Sequence, residues 1–221
     1  MNTIRTVIWD CDQVMWFYKV DEVEILAKIL QIPYSKELEE EYFDLISEFM
    51  KYFSKRRVTR DEYYKIIERE MPLLYFYNIS PKQFSTIWDE NRSKLSVVNK
   101  DVFGIMKYLN EKGIKNVVKT DWWKNTQIKT MKDHGVFDYV EEVYGCDNGY
   151  LKTHPLAAAE FIKPGSEEEY LMIGDSLKCD ISFANRAGIA SVWFNPKRYE
   201  NMTIFTPDFE ISSLKEISRI L

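Results

Sequence analysis

The sequence predicts an α/β protein in which a parallel sheet is interrupted by a long helical insert. Short apolar runs rich in β-branched residues alternate with segments whose apolar residues recur every three or four positions. This alternation is typical of parallel strands joined by right-handed helical crossovers. Residues 17–94 contain no strand-length run of that kind and carry helical periodicity instead. A chain of 221 residues is long enough for one sizeable core and a smaller cap.

The first strand is predicted at residues 3–9, and about four helices are predicted in the insert that follows. Thr59 with Glu62 forms a capping-box pattern, and Ser80 before Pro81 is a typical helix start. Two apolar stripes at helical spacing are formed by Val23, Leu26, Ala27 and Leu30, and by Leu38, Tyr42, Leu45 and Phe49.

After the insert, helices and strands alternate to the end of the chain. Asn99 is the predicted cap of a helix that ends at Gly113. The elements predicted after it are a strand at 115–119, a helix at 122–134, a strand at 139–144, a short helix at 155–162, a strand at 170–173, a helix through Ala184 that ends at Gly188, a strand at 190–194, an extended piece near Phe209 and a helix from about Ser213.

Composition predicts an ordinary soluble globular protein, with 45% hydrophobic and 29% charged residues. The net charge of −5 argues against a nucleic-acid partner. The sequence contains no apolar run of ~18 residues, so no membrane span is predicted. Residues 1–10 lack the apolar stretch of a signal peptide. A cytoplasmic location is also favoured by three cysteines that form no C-x-x-C pair, namely Cys11, Cys146 and Cys179. The oligomeric state is left open.

Polar residues that suit phosphate chemistry occur in four short segments. Asp10 and Asp12 follow the first predicted strand, and Thr120 follows the second. Lys152 lies in a loop before a predicted helix, and Asp175 follows the strand at 170–173. Ligands of an open α/β sheet bind outside the carboxyl ends of its strands, so we expect all five residues to converge at one edge.

In this order, the segments resemble the signature of the haloacid dehalogenase superfamily of aspartate-nucleophile phosphohydrolases. That signature is D-x-D-x-[T/V], a Ser or Thr after the second strand, a Lys, and G-D-x-x-x-x-D, which here runs from Gly174 to Asp180. The resemblance extends from about Thr3 to the C-terminus, apart from the insert. It implies a Rossmann-like core made of residues 1–16 and 95–221, with an all-helical cap made of residues 17–94.

The resemblance implies a role for each acidic residue. Asp10 is the candidate nucleophile, which would form an aspartyl-phosphate, and Asp12 is the candidate general acid and then general base. Asp10 and Asp175 would give side-chain oxygens to Mg²⁺, and Asp12 would give its backbone carbonyl. Asp180 would support the metal shell from behind.

Thr120 and Lys152 are the residues expected to hold the phosphoryl oxygens and to stabilise the charge that develops on them. Lys152 is preferred to Lys119, Lys124 and Lys163 because it precedes Thr-His-Pro and a small-residue helix. The family usually shows Lys-Pro-x-Pro at this place.

Two positions depart from the family pattern, and both are candidate substrate-binding residues. Gln13 stands where Gly is common, and its side chain is expected to face the cleft. Asp121 stands where Asn often follows the Ser or Thr, and it requires a cation or a polar substrate group nearby. Trp16, Trp122 and Trp123 either belong to the core or line a pocket for a flat or apolar group.

The function predicted by these residues is Mg²⁺-dependent hydrolysis of a phosphomonoester of a small soluble metabolite. A phosphosugar mutase with the same site and a non-catalytic binding protein of the same fold stay open as alternatives. Dehalogenation is disfavoured because it needs neither a metal nor a phosphate cradle. P-loop, dinucleotide-loop, serine-elbow and zinc-ligand patterns are absent from the sequence.

The densest basic run, Lys51–Arg60, lies in the predicted cap. It forms either a solvated face between two helices or a contact with an anionic part of the substrate. In the second case Arg56 or Arg57 would provide the contact, because Arg binds carboxylate or phosphate bidentately.

Overall fold

The computed structural model describes residues 3–147 and 149–221. Residues 1, 2 and 148, which belong to the predicted core, lie outside this range. The strands are β1 (Thr6–Trp9), β2 (Trp16–Tyr18), β3 (Ser96–Val98), β4 (Lys115–Lys119), β5 (Glu142–Tyr144), β6 (Tyr170–Gly174), β7 (Ala190–Phe194) and β8 (Phe209–Ile211). The α-helices are α1 (Glu22–Leu30), α2 (Lys36–Phe53), α3 (Arg60–Glu70), α4 (Leu73–Phe76), α5 (Pro81–Leu95), α6 (Asp101–Glu111), α7 (Lys124–Asp133), α8 (Ser182–Ala187) and α9 (Ile217–Ile220).

A parallel sheet forms the centre of the described structure, with strand order β5-β4-β1-β6-β7-β8. The middle strand β1 pairs with β4 on one side and with β6 on the other, so that Ile8 is level with Val117 and Met172. Residues 7–9 are fully buried, as expected for a strand with helices on both faces of its sheet. The prediction of an α/β fold with a parallel sheet is confirmed.

The insert contains α1 to α5, which lie between β2 and β3. Both predicted apolar stripes are buried. Ser80 forms a complete capping box with Gln83, and Thr59 accepts a hydrogen bond from the backbone N–H of Glu62. The apolar cluster of these helices also includes Trp122 and Trp123, which follow β4. The division into core and cap stays an interpretation, because the two parts share this cluster.

The prediction of helices alone at residues 17–94 missed a short antiparallel ribbon at the base of the insert. β2 pairs with β3, and Trp16 is level with Val98. Each strand has three residues and pairs with a segment far away in the chain, so no local pattern indicates it. The chain enters the insert through β2 and leaves it through β3, so the pairing of these two strands holds both ends of the insert together.

Two predicted elements differ from those observed. The helix predicted at 155–162 is reduced to one 3₁₀ turn, Ala158–Glu160, in a segment whose backbone hydrogen bonds mostly span three residues rather than four. The Glu160 carboxylate binds Lys119 and the backbone N–H of Tyr150. The strand predicted at 139–144 is shortened to β5, after a 3₁₀ turn at Phe137–Tyr139. Within the described ranges, no helix combines the length and the apolar character that crossing a membrane requires.

Candidate active site

Three carboxylates meet at the carboxyl ends of β1 and β6. Asp10 directly follows β1, and its N–H donates to the carbonyl of Ile173 in β6 at 2.9 Å. Asp175 directly follows β6, and Asp180 lies in the π-helical turn after it. One carboxylate oxygen from each of Asp10, Asp175 and Asp180 lies within 4.8 Å of the others. The pairing of β1 with β6 therefore produces the acidic edge that the sequence predicts.

Gly174 allows Asp180 to approach this edge closely. A Cβ atom at position 174 would lie 2.2 Å from the Cβ and Cγ atoms of Asp180, so only glycine fits there without a shift. The Asp180 carboxylate accepts a hydrogen bond from the N–H of Ser176 at 2.9 Å, which holds the turn in place. Asp180 is fully buried. Its carboxylate lies in the acidic cluster together with the predicted metal ligands.

Lys152 is the cation of this cluster. Its Nζ lies 2.5 Å from Asp10 Oδ1 and 2.5 Å from Asp180 Oδ1, and the residue is 2% exposed. Its loop is held by Asp121, whose carboxylate accepts the N–H of Lys152 at 2.6 Å. Lys119 is also buried, but its Nζ pairs with Glu160 at 3.1 Å. The structure thus brings Lys152, the preferred lysine, next to the candidate nucleophile.

Negative charge exceeds positive charge at this edge. Burial raises the pKa of Asp10 well above its usual range; Lys152 lowers it, while Asp180, Asp175 and Asp12 raise it further. Burial and the neighbouring Asp180 raise the pKa of Asp175 to about 7. A divalent cation would remove this repulsion, and carboxylate oxygens are the ligands that Mg²⁺ prefers. The acidic cluster therefore fits the predicted metal.

Asp12 points away from the cluster and toward the helical insert. Its Oδ1 accepts hydrogen bonds from the Trp16 indole at 2.8 Å and the Tyr18 hydroxyl at 3.0 Å, and lies 2.6 Å from the Arg92 guanidinium. Its Oδ2 accepts from Gln127 at 3.1 Å. Burial favours the neutral acid, but the charge and hydrogen bond of Arg92 outweigh it, so the pKa of Asp12 is lowered.

Arg92 and Gln127 were missed by the sequence analysis. Arg92 lies in α5 and is 2% exposed, with its guanidinium 4.4 Å from the centre of the Trp88 ring. A signal for Arg92 exists in the sequence, because it continues the buried helical stripe of Phe84 and Trp88, where a cation needs a partner. Gln127 shows no comparable local signal, since its two partners come from separate segments.

Thr120 lies beside these residues at the end of β4 and is 1% exposed. Its hydroxyl oxygen accepts hydrogen bonds from the N–H of Trp122 at 3.2 Å and from Gln127 at 3.0 Å. Because the oxygen accepts twice, the hydroxyl proton is the part of Thr120 that is suited to a phosphoryl oxygen.

The two departures from the family pattern have different structural reasons. Gln13 has φ = 64°, a left-handed conformation that glycine adopts without strain. Its N–H donates to the carbonyl of Trp16 at 2.8 Å and closes the turn after Asp12. Asp121 holds the Lys152 loop, as described above. Burial raises the pKa of Asp121, and Lys152 opposes that rise.

A cavity of about 310 Å³ separates this edge from the helices of the insert. Its sides are largely aromatic. The polar residues at the floor of the cavity are Asp12, Gln13 and Asp121. The aromatic residues in its walls are Tyr18, Tyr42, Phe49, Trp88 and Trp122. Trp122 therefore contributes both to the apolar cluster of the insert and to the cavity wall.

The basic run of the insert lies elsewhere. The Arg56 guanidinium lies 4.3 Å from the centre of the Tyr52 ring, and that of Arg57 lies 5.1 Å from the centre of the Tyr150 ring. In the described part of the chain, neither arginine lines the cavity. The solvated face and the substrate contact both stay predictions for this basic run.

The model of the haloacid dehalogenase-like hydrolases matches residues 7–194 of this chain. The chain belongs to this family. The match spans the central strand, the insert and four further strands of the sheet, including all of the candidate site residues. The family predicted from the four motifs is therefore confirmed.

Members of the family with different names are similar to this chain. HAD-hydrolase YfnB of Bacillus subtilis (strain 168) is 24% identical over 100% of this chain and 97% of its own length. Its magnesium-bound crystal structure has a TM-score of 0.77 and covers 99% of this chain and 98% of that chain. Pyrimidine 5'-nucleotidase PynA of Streptococcus pneumoniae (strain ATCC BAA-255 / R6) is 46% identical over 42% of this chain and 41% of its own length.

The fold is shared with a dehalogenase too. The 2-haloacid dehalogenase of Pseudomonas syringae pv. Tomato DC3000 has a TM-score of 0.69 at 16% identity, covering 98% of this chain and 97% of that one. The reaction must therefore be argued from the residues of the site rather than from the fold.

Proposed function

We propose that this protein hydrolyses phosphomonoesters of a small soluble metabolite through an aspartyl-phosphate on Asp10. The observation that carries the proposal is the contact of Asp10 with Lys152 inside an acidic cluster that suits Mg²⁺. A dehalogenase needs no such cation-binding cluster. The nucleotidase PynA, which is 46% identical over part of the chain, supports the choice of phosphate chemistry.

In the first step, an Asp10 carboxylate oxygen attacks phosphorus, and the bond between phosphorus and the leaving oxygen breaks. Asp12 donates a proton to that oxygen. In the second step, Asp12 takes a proton from water, the water oxygen attacks phosphorus, and the bond to Asp10 breaks. The products are an alcohol, inorganic phosphate and a free Asp10 carboxylate.

Lys152 and the Thr120 hydroxyl hold the phosphoryl oxygens during both steps. A bound dianionic phosphate also competes with Asp12 for nearby positive charge, which raises the pKa of Asp12 and prepares it as an acid. Asp10 and Asp175, with the backbone carbonyl of Asp12, are the proposed Mg²⁺ ligands, and Asp180 supports them. When bound, Mg²⁺ supplies positive charge that offsets the charge on the phosphoryl oxygens.

The test is release of inorganic phosphate from a panel of phosphomonoesters, with Mg²⁺ and after chelation with EDTA. We expect release that depends on Mg²⁺ and that falls by about 10⁴-fold or more in Asp10→Asn, because the variant lacks the anionic nucleophile. Asp61→Asn, an exposed carboxylate in α3, is the matched control.

Other outcomes would assign the alternatives. A mutase would isomerise its substrate without net release of phosphate. A binding protein would turn over no member of the panel. Release that persists in Asp10→Asn or in EDTA would contradict the proposed mechanism.

A further inference from the structure

Gln127 is a buried residue whose side-chain amide contacts two of the candidate catalytic residues at once. It lies in the first turn of α7 and is fully buried. Side chains of a helix lean toward its N-terminus, so Gln127 extends back toward the end of β4. Its Nε2 atom donates to Asp12 Oδ2 at 3.1 Å and to the Thr120 hydroxyl oxygen at 3.0 Å. One amide group therefore joins the candidate acid to a candidate phosphate-binding residue.

The ion pair between Asp12 and Arg92 determines which way round this amide lies. A carboxylate that is paired with a guanidinium only accepts hydrogen bonds, so the atom of Gln127 that faces Asp12 must be the Nε2 donor. The opposite orientation would place the Oε1 acceptor against a carboxylate oxygen. In the observed orientation Oε1 is buried without a donor among the described residues, which costs free energy. The contacts of Nε2 therefore outweigh this cost.

The orientation of the amide in turn determines the direction of the Thr120 hydroxyl. A threonine hydroxyl has two acceptor lone pairs and one proton. The N–H of Trp122 and the Nε2 group of Gln127 occupy the two lone pairs, at 3.2 Å and 3.0 Å. The proton is then left for a further partner. Without Gln127 the hydroxyl could rotate about its Cβ–Oγ bond and point its proton elsewhere.

The same amide contacts the less crowded oxygen of Asp12. Three donors surround Oδ1, whereas Gln127 is the one donor that reaches Oδ2 from the described ranges of the chain. Oδ2 therefore has room to exchange a proton with a leaving group. Because Gln127 holds Oδ2 next to Thr120, it fixes the acid beside the residue that is proposed to bind the phosphoryl group.

Resting on the proposed function, we propose that Gln127 is a positioning residue that orients both the Thr120 hydroxyl and the Asp12 carboxylate for reaction. Its Nε2 group directs the hydroxyl proton toward a phosphoryl oxygen and holds Oδ2 toward the leaving oxygen. Gln127 itself acts from behind these two residues, since it is fully buried. Its removal should therefore act through Thr120 and through Asp12, and the two effects can be measured separately.

The first test measures the effect through Asp12, with phenyl phosphate and 4-nitrophenyl phosphate as substrates. Nitrophenolate leaves with little help from an acid, whereas phenolate needs a proton. The ratio of kcat for phenyl phosphate to kcat for 4-nitrophenyl phosphate should fall about 10-fold in Gln127→Met, which keeps the length of the side chain but has no N–H. A ratio measured within one protein does not depend on the folded fraction. Thr130→Val, which removes another buried polar group of α7, is the matched control and should leave the ratio unchanged.

The second test measures the effect through Thr120, as binding of inorganic phosphate by calorimetry in the presence of Mg²⁺. We expect phosphate to bind the wild type, and Thr120→Val and Gln127→Met each to weaken this binding about 10-fold. The double variant should bind no more weakly than Thr120→Val, because it has no hydroxyl for Gln127 to orient. Gln127→Glu, which keeps the size and polarity of the side chain but lacks the N–H groups, is a second variant and should show the same losses as Gln127→Met.

These measurements separate the role of Gln127 from the proposed hydrolysis. A wild type without turnover, whose phosphate binding is weakened by Gln127→Met, would contradict hydrolysis but support the orientation of Thr120 by Gln127. Normal turnover with an unchanged ratio in Gln127→Met would overturn the role of Gln127 and leave hydrolysis intact. Losses that multiply in the double variant, or phosphate binding that is absent from the wild type or equal in all variants, would also overturn that role.

Discussion

Asp10 and Asp12 are separated by one residue, yet they lie in opposite electrostatic surroundings. Asp10 faces other carboxylates at the sheet edge, and its pKa is raised despite the nearby Lys152. Asp12 faces the insert, where Arg92 and neutral hydrogen-bond donors lower its pKa. The side with Asp10 is built from strand ends, whereas the side with Asp12 is built partly from a helix about eighty residues further along the chain.

The comparison teaches that the two carboxylates depend on different parts of the molecule. The charge of Asp10 depends on Lys152, Asp175 and Asp180, all at the sheet edge. The charge of Asp12 depends on Arg92, which belongs to α5 of the insert. Changes in the insert should therefore affect acid–base chemistry as well as substrate choice, whereas changes at the sheet edge should affect the nucleophile.

Among the variants that test this comparison, Lys152→Ala is expected to have the largest effect. Removal of the ammonium leaves Asp10 among carboxylates and takes one cation away from the phosphoryl oxygens, so kcat should fall by about 10²–10⁴-fold. Lys163→Ala, on the exposed surface, should leave kcat unchanged. Steady-state kinetics with circular dichroism checks both variants. A folded Lys152→Ala protein with near-normal kcat would show that the contact with Asp10 is not catalytic.

The next largest effect is expected from Arg92→Ala on stability. The variant leaves Asp12 without its ion pair, and the free energy of unfolding should fall by about 2–4 kcal/mol. The expected loss is smaller than the full cost of breaking a buried ion pair, because the Asp12 side chain is 31% exposed to solvent.

The Asp12–Arg92 ion pair should change how the free energy of unfolding depends on pH. In the wild type the pKa of Asp12 is below its unfolded value, so its stabilisation is present above that value and is lost as the pH falls through the folded pKa. In Arg92→Ala burial dominates, the pKa of Asp12 rises, and this contribution reverses. Urea unfolding of Arg92→Ala and of Arg92→Ala with Asp12→Asn checks the prediction. If the second substitution restores no stability, the cost does not arise from Asp12.

A moderate effect is expected at Asp175 in the metal-free protein. Its folded pKa of about 7 is above the unfolded value of about 3.9. The folded state therefore binds more protons between these values, and stability should fall by about 1–2 kcal/mol as the pH rises from about 4 to 7. Urea unfolding in EDTA measures this fall. Asp175→Asn should flatten it, and Mg²⁺ should reverse it, since the cation stabilises the ionised carboxylates. An unchanged slope in Asp175→Asn would assign the effect to another group.

The smallest effect is expected from Gln13→Gly, at the residue directly after Asp12. Its φ of 64° is unfavourable for a side chain, so glycine should raise the free energy of unfolding by about 0.5–1 kcal/mol, despite its greater freedom in the unfolded chain. Gln31→Gly, at φ = 60° in the C-cap of α1, should show a similar gain and serves as control. A gain at Gln31 with a loss at Gln13 would show that the Gln13 side chain makes a stabilising contact in the turn.

Much of the sheet could be predicted because its signals are local. The runs that form β1, β4, β6 and β7 are apolar and β-branched, and each is followed by polar residues or glycine within a few positions. The acidic cluster followed from the same patterns, because parallel strands bring their carboxyl ends to one edge. The helix predicted at 155–162 is wrong: the segment forms mainly three-residue backbone turns, and its Glu160 side chain is bound by Lys119 and Tyr150 from other segments.

What the chain reveals without a structure is its family and the candidate residues for phosphate chemistry, since both depend on short motifs next to strands. The tertiary structure alone decides the surroundings of Asp12, the position of Arg92 and the shape of the aromatic cavity. These features arise where α1, α2 and α5 meet the ends of β1 and β4. The periodicity of α5 indicates that Arg92 is buried, but it does not indicate which distant segment provides its partner. Asp10 and Asp12 are separated by one residue in the unfolded chain as well as in the folded one. The electrostatic difference between them therefore arises from the charged partners that folding brings next to each.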